Sequence, residues 1–391
     1  MKSKYTLTML SCYVGYVVQA VVNNFLPILF IVLQDIYGLT YEELARIILF
    51  NFVTQMVTDF IAPKILSLTG YRKAAMLAHI SAAAGLVLLG VLPQVMDNTY
   101  FAIIISMVIT AFGSGLIEVI LSPMVDMIPT SNKAGNMAIL HSFYCWGQAF
   151  TIIATTLMVS LFGFGGWANI PIIWAVIPFV NIFAFSLVPI IEPEEEKKTA
   201  SLGQLLKNKS FYLFLIMMLC AGAAEITMAQ WASMFAQQSL GVSKAVGDLA
   251  GPCAFAIFMG SGRIWYAKVS HKVSFKKTVI VLSAMCLVCY VVVGICDVAI
   301  ISLICCAICG LTVSIFWPGT YAAGSKAFKN GGPVMFSMFA MLGDIGCSLG
   351  PWLSGIVADG YGLNWGFVVS AIFPLLMIIT VLTFKKEKFE V

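Results

Sequence analysis

Apolar runs of about twenty residues, each closed by a short polar turn, follow one another along this chain from end to end. A bilayer core takes about 20 apolar residues to cross as a helix, so a chain patterned this way is built for hydrocarbon as its solvent. Composition agrees, with 60% of the residues hydrophobic and only 10% charged. Hydrocarbon offers no partner to a backbone N–H or C=O, so each crossing has to satisfy those groups within itself, as a helix. A barrel would show shorter segments of alternating polarity instead.

Crossings are predicted near Leu7 to Leu33, Tyr41 to Ile65, Ala74 to Leu92, Tyr100 to Met124, Met137 to Phe162 and Ile170 to Ile190. A second set is predicted near Phe211 to Phe235, Asp248 to Lys268, Thr278 to Ile295, Val298 to Ala323, Val334 to Val357 and Trp365 to Phe384. The first run follows Lys2 and Lys4 as a secretory signal would, but it is too long for one and lacks an Ala-x-Ala cleavage site, so it is expected to be retained. With the N-terminus cytoplasmic, nineteen of the 22 basic residues fall on the cytoplasmic side, and only Arg46, Lys244 and Arg263 are left for the outer side or a helix interior. The positive-inside rule therefore supports an inner-membrane protein with both termini cytoplasmic. It also accounts for the net charge of +4 without a nucleic-acid partner.

The longest polar interruption runs from Glu192 to Ser210, with an acidic run followed by Lys197 and Lys198. It reads as a cytoplasmic linker, residues 192–209, between a six-helix bundle at 1–191 and another at 210–391. Sliding one half over the other by about 203 or 204 residues sets Arg72 and Lys73 on Lys276 and Lys277, Gly38 on Gly241, and Gly147 on Gly350. The expected fold class is thus an all-α membrane protein of twelve transmembrane helices in two pseudo-symmetric six-helix bundles. Parallel repeats of this kind mark secondary transporters, whose substrate site lies at the midplane between the halves.

The chain resembles the major facilitator superfamily along essentially its whole length. The turn Ser67-Leu-Thr-Gly70-Tyr-Arg72-Lys73 looks like that superfamily's cytoplasmic Gly-x-x-x-Asp-Arg-x-Gly-Arg-Arg motif, with Pro63 in place of the first glycine and Ser67 in place of the acid. The gate-locking role of that acid is therefore not carried over. Within the superfamily the chain is similar to the fucose/galactose/glucose:proton symporter branch. The likeness rests on Asn23-Asn24 before Leu26-Pro27, on Glu118 in Leu116-Ile-Glu-Val-Ile-Leu-Ser-Pro123, and on His141-Ser-Phe-Tyr-Cys-Trp-Gly147. Gly343-Asp344-Ile-Gly346-Cys-Ser-Leu-Gly350-Pro351-Trp352 adds a fourth match. The branch's fucose carrier has a coupling Asp soon after the Asn-Asn pair, where this sequence continues directly to Phe25. The resemblance implies a carrier of a small polar solute, most simply a sugar, driven by protons through alternating access, and a monomer in the bilayer.

Candidate site residues also follow from the chemistry alone. A charged side chain near the bilayer centre costs about 2.5 to 3.5 kcal/mol on insertion scales, so such a residue is a functional candidate by default. Asp59, Glu118, Glu225 and Asp344 meet that condition. Glu118 lies deep in its helix with no basic residue beside it, and a carboxyl removed from water favours its neutral form, as a proton carrier requires. The bland alternative is a protonated Glu making one interhelical hydrogen bond. Asp344 and His141 occupy equivalent positions of the halves and are candidates for proton handling with it, or else each separately fixes helix packing.

Glu225, Gln230 and Trp231 offer a carboxylate, an amide and an indole for a sugar's hydroxyls and ring, unless Trp231 anchors the membrane interface. Asn23 and Asn24 are adjacent amides in an apolar helix and need partners. With Gln19, Gln148 and Trp146, and with Tyr144, Trp317 and Tyr321, they are candidates to line a central cavity. Asp59 and Arg263, related by the same offset, and Arg72 are expected in charge pairs that help close the cytoplasmic gate, a structural ion pair being the alternative.

Cys305, Cys306 and Cys309 have no acid or histidine near them in their helix and read as small apolar filling, so no metal or other cofactor is called for. A P-loop, a Gly-x-Ser-x-Gly elbow and an HExxH helix are absent, which excludes an enzyme of those kinds and leaves transport to be driven by a gradient. Rival readings are a proton-driven exporter of drugs or metabolites and a non-transporting membrane sensor that keeps the carrier fold. The fifth crossing lacks the Gly-Pro-rich stretch typical of the superfamily's antiporters, and the short loops leave little room for a sensor domain.

Overall fold

The computed structural model describes residues 4–39, 41–191 and 200–383. The charged run at 192–199 and the lysines at positions 2, 385, 386 and 388 lie outside the described residues. Every described element is helical, as backbone satisfaction in hydrocarbon demands. The chain forms two compact units, Met1–Ile128 with Phe150–Glu194, and Pro129–Ala149 with Glu195–Val391.

In the first unit, α1 (Thr6–Ile28) and α2 (Phe30–Tyr37) are followed by α3 (Tyr41–Val95) and α4 (Thr99–Met127). The later part of α5 (Lys133–Phe162) and α6 (Asn169–Leu187) complete it. The single crossing predicted from Leu7 to Leu33 is two helices, parted at Leu29. Pro27 has no N–H to offer and its ring crowds the carbonyl one turn earlier, which ends the regular ladder there. The second and third crossings are joined without a loop. They meet at Gly70, whose φ of 74° is open to glycine and strained for any other residue. α3 packs against α4 and α6, and α1 packs against the same two helices. Gly113 and Gly115 make the approach of α4 to α3 possible, since a Cβ on Gly113 would strike the backbone of Ala78 and Ala82 and one on Gly115 would press on Thr58 and Gln55.

The second unit contains the start of α5, then α7 (Leu202–Leu206), α8 (Lys209–Gln238), α9 (Lys244–Asp248), a π-helical turn at Leu249–Cys253 and α10 (Ala254–Val269). α11 (Phe275–Ile295), α12 (Ala299–Val313), α13 (Phe316–Ala327) and α14 (Gly332–Tyr361) follow, and α15 (Leu363–Ser370) and α16 (Ile372–Thr383) end it. The crossing predicted from Val298 to Ala323 is broken between α12 and α13. Pro318 lacks the N–H that would have bonded to the Ser314 carbonyl, so that carbonyl is released from the helix. Pro374 does the same to the carbonyl of Ser370, next to the break at Ala371 between α15 and α16. α8 and α14 are in close contact, with Gly222 against the backbone of Gly343 and Gly346 against that of Leu219.

Among the described residues, ten stretches are long and apolar enough to cross a membrane. One of them, Arg46–Val95, contains two crossings folded at Gly70, while α10, which carries Arg263 in its interior, is 16 residues long. Large apolar side chains stay exposed around the molecule, among them Leu187 at 84%, Ile300 at 70% and Leu382 at 60%. That is the surface of a protein whose solvent is lipid.

Candidate functional site

Three helices of the first unit carry polar side chains at steps of about one helical turn, which puts each set on one face. Tyr16, Gln19 and Asn23 line one face of α1; Ser114, Glu118 and Ser122 line one face of α4. The two rows meet as an antiparallel zipper. Tyr16 Oη lies 2.7 Å from Ser122 Oγ, Gln19 Nε2 donates to Glu118 Oε2 at 2.6 Å, and Ser114 Oγ lies 3.5 Å from Asn23 Oδ1. A third row on α3, Asn51, Gln55 and Asp59, brings its first two members to the same point. Gln55 Nε2 donates to Asn23 Oδ1 at 3.2 Å, Asn51 Nδ2 reaches the same oxygen at 3.4 Å, and Ser114 Oγ donates to Gln55 Oε1 at 3.0 Å. Glu118 is 5% exposed and Asp59 wholly buried. Two amide oxygens in this cluster, Gln19 Oε1 and Asn51 Oδ1, are buried and have no hydrogen-bond partner among the described residues. Asn24, the neighbour of Asn23, donates instead to the carbonyl of Ala20 in its own helix.

The second unit holds a different arrangement. Arg263 of α10 is 1% exposed, and its Nη2 forms an ion pair with Glu225 Oε2 of α8 at 3.1 Å. Its Nε donates to the carbonyl of Ser314 at 3.0 Å, the one freed by Pro318, and its Nη1 donates to the carbonyl of His141 at 2.6 Å. One guanidinium therefore satisfies a carboxylate and two backbone acceptors, which is what a buried cation needs to be tolerated. The His141 ring lies 5.5 Å from that of Tyr321, and Tyr321 lies 6.3 Å from Trp317 and stacks at 5.4 Å on Phe336. The indole edge of Trp317 fills the space that a side chain at Gly343 of α14 would take, one residue before the buried Asp344.

The sequence-derived candidates are thus regrouped. Glu225, expected with Gln230 and Trp231, is tied to Arg263, expected at a gate. Gln230 is exposed, and the indole N–H of Trp231 is spent on the carbonyl of Pro351 at 3.2 Å. Tyr144 is half-buried on α5, and Gln148 is buried on the same helix. Arg72 caps the end of α6, donating to the carbonyls of Phe185, Ser186 and Val188 at 2.8, 2.8 and 2.9 Å, where a cation also complements the helix dipole. Asn51, Gln55 and Ser114 were missed from sequence. Their signal was present, because Asn51, Gln55 and Asp59 recur at four-residue steps in an apolar helix, as Ser114 and Glu118 do.

The sequence profile of the Major Facilitator Superfamily matches residues 12–350. No protein of curated function matches the sequence. Among solved structures, the E. coli fucose:proton symporter FucP superposes with a TM-score of 0.79 at 14% identity, covering 97% of this chain and 98% of that one. The proton:xylose symporter XylE, bound to 6-bromo-6-deoxy-D-glucose, gives 0.83 at 11% identity, covering 97% and 95%. The human organic anion transporter MFSD10 gives 0.79 at 12% identity, covering 97% and 100%. Sugar carriers and an organic anion carrier share the fold to the same degree, so the choice of solute has to be argued from side chains.

Proposed function

Because this chain belongs to the Major Facilitator Superfamily, whose members are membrane carriers and not enzymes, we propose that it moves a small polyhydroxylated solute, most simply a sugar, together with protons by alternating access. The observation that carries this reading is the buried carboxyl of Glu118 beside amide oxygens that lack donors, those of Gln19 and Asn51. A buried acceptor left unmade costs about 1–3 kcal/mol. A hydroxylated solute supplies the missing donors, whereas an anion would meet acceptor oxygens and be repelled. Glu118 is the proton carrier in this reading, since gaining or losing a proton there strands no cation on its own helix, which has no basic residue.

Asn23, and behind it Gln55 and Ser114, orient the amide face. Trp317 and Tyr321 are assigned further contacts to the solute, as aromatic rings suited to the apolar face of a sugar. Asp344 and His141 are assigned a secondary part in proton handling, and Asn24 and Tyr144 further contacts to the solute. Glu225 and Arg263 are assigned to holding α8, α10 and the α12–α13 break in place. Both termini are placed in the cytoplasm, with the six-helix bundles at 1–191 and 210–391 joined by the linker at 192–209, and the carrier works as a monomer in the bilayer. The sugar and proton chemistry of FucP and XylE fits this assignment.

The test is proton movement in proteoliposomes carrying a pH dye, screened with neutral sugars and polyols, for the native protein and Glu118→Gln. A solute-dependent proton influx in the native protein that Glu118→Gln abolishes is the expected result. Equal sugar flux in both proteins without a pH change removes the proton from the reading. No flux of any sugar or polyol removes the solute class.

A further inference from the structure

We propose that the hydroxyls of Tyr16 and Ser122, together with the carboxylate of Asp126, form a relay that takes the proton of Glu118 to the end of α4. The inference rests on the assignment of Glu118 as proton carrier and adds the route by which that proton leaves. All of these residues lie within the first unit.

α4 is polar at every fourth residue over most of its length, at Ser106, Thr110, Ser114, Glu118, Ser122 and Asp126. A four-residue step in an α-helix turns the row by about 40° and advances it by about 6 Å. The members of the row are not equivalent. Ser106 Oγ donates to the carbonyl of Ala102 at 2.8 Å and Thr110 Oγ1 to that of Ser106 at 2.7 Å, so both hydroxyls are spent on their own helix. Ser114 donates to Gln55 and so enters the amide cluster. Ser122 instead reaches across to α1, where its Oγ lies 2.7 Å from Tyr16 Oη, with Ser122 wholly buried and Tyr16 nearly so.

The chemistry on the two sides of Glu118 therefore differs. Towards Asn23 lie amides, which donate from nitrogen and accept at oxygen and so cannot hand a proton on through one atom. Towards Asp126 lie hydroxyls, each of which accepts and donates at the same oxygen. Tyr16 and Gln19 are about one turn apart on α1, as Ser122 and Glu118 are on α4, so the hydroxyl pair sits one turn nearer the end of α4 than the Gln19–Glu118 pair. Residues one turn apart have Cβ atoms about 5–6 Å from each other, a gap that a rotation of the Glu118 side chain or one water spans. Pro123 has no N–H for the carbonyl of Val119, which frees that acceptor in the turn between Glu118 and Ser122. Asp126, half-buried, is one step further on, in the last turn of α4. Lys133, at the start of the next helix, is among the basic residues that the positive-inside rule places on the cytoplasmic side, so the row runs from the buried carboxyl towards the cytoplasm.

The transfer balances without a co-reactant. Glu118 gives its proton to one oxygen of the hydroxyl pair, that hydroxyl passes its own proton to the other, and the second passes its own to the Asp126 carboxylate. Glu118 is left ionised, both hydroxyls are restored, and Asp126 releases the proton to water.

The experiment follows hydrogen–deuterium exchange of the Glu118 carboxyl by time-resolved infrared spectroscopy, on the full-length protein in liposomes transferred to heavy water. The band is assigned by its loss in Glu118→Gln, and the readout needs no solute. Tyr16→Phe and Ser122→Ala are each expected to slow the exchange by about tenfold or more, and Ser122→Thr to restore it. Ser106→Ala, which removes a hydroxyl already bonded within its own helix, is the control and should exchange at the native rate. Thermal unfolding confirms that each variant is folded, and either relay variant decides the matter by itself if the other does not fold. Exchange at the native rate in a folded Tyr16→Phe or Ser122→Ala, or equal slowing by Ser106→Ala, overturns the relay and leaves Glu118 standing as the proton carrier. A missing band for protonated Glu118 overturns the relay and the proton carrier together. Slowed exchange in a protein that moves no sugar supports the relay and removes only the solute class.

Discussion

Glu118 in the first unit and Glu225 in the second are buried to the same extent, each 5% exposed, yet one is held by an amide and the other by a guanidinium. The difference decides what each carboxyl can do. Protonating Glu225 would leave Arg263 as an uncompensated cation in a dry interior, so that pair resists change. Glu118 accepts from the neutral amide of Gln19, and its own helix carries no basic residue. On the function proposed above, equal burial in the same protein gives a fixed strut at Glu225 and an exchangeable proton at Glu118.

The largest way to break this comparison is Glu225→Gln. The amide still accepts a hydrogen bond but cannot balance the charge, and a loss of about 3–5 kcal/mol is expected in unfolding titrations in micelles. A loss below about 1 kcal/mol would mean that Arg263 is compensated elsewhere. Adding Arg263→Met to that variant should restore part of the stability. Recovery stays incomplete, because the carbonyls of Ser314 and His141 lose their donor at about 1–3 kcal/mol each.

Asn23→Ala tests the amide side. Gln55, Asn51 and Ser114 all direct hydrogen bonds at Asn23 Oδ1, and losing it should cost about 1–3 kcal/mol and weaken solute affinity in binding titrations. Unchanged affinity would separate this cluster from the solute. The smallest expected effect on stability is that of Glu118→Gln, within about 1 kcal/mol, since the new amide oxygen still accepts from Gln19. Its effect on proton coupling should nonetheless be complete, and a stability loss equal to that of Glu225→Gln would erase the contrast between the two carboxyls.

Glu118 was legible as a candidate because an acid deep in an apolar helix without basic residues is conspicuous in any sequence. The Asn51, Gln55 and Asp59 row was legible too, at four-residue steps, but amides and single hydroxyls cost less in hydrocarbon than charges and drew less notice. The pairing of Glu225 with Arg263 was not legible. The residues are 38 positions apart, and the sequence offset linked Arg263 to Asp59 instead. Nor was the role of Arg72, which sits in a turn that resembles a gate motif and spends its donors on the carbonyls at the end of α6.

By itself the sequence determined that this is an all-helical membrane carrier and which charges lie inside it, because the bilayer imposes helix length, backbone satisfaction and a high cost for each buried charge, all of which are local. Tertiary structure alone decided which buried groups meet. It broke helices where Pro27 and Pro318 withhold an N–H, turned the freed Ser314 carbonyl towards Arg263, and set the amide of Gln19 on Glu118. The physical reason is that a partner's identity depends on the rotation and register of helices distant in sequence, which close packing at residues such as Gly115 and Gly346 sets and composition does not record.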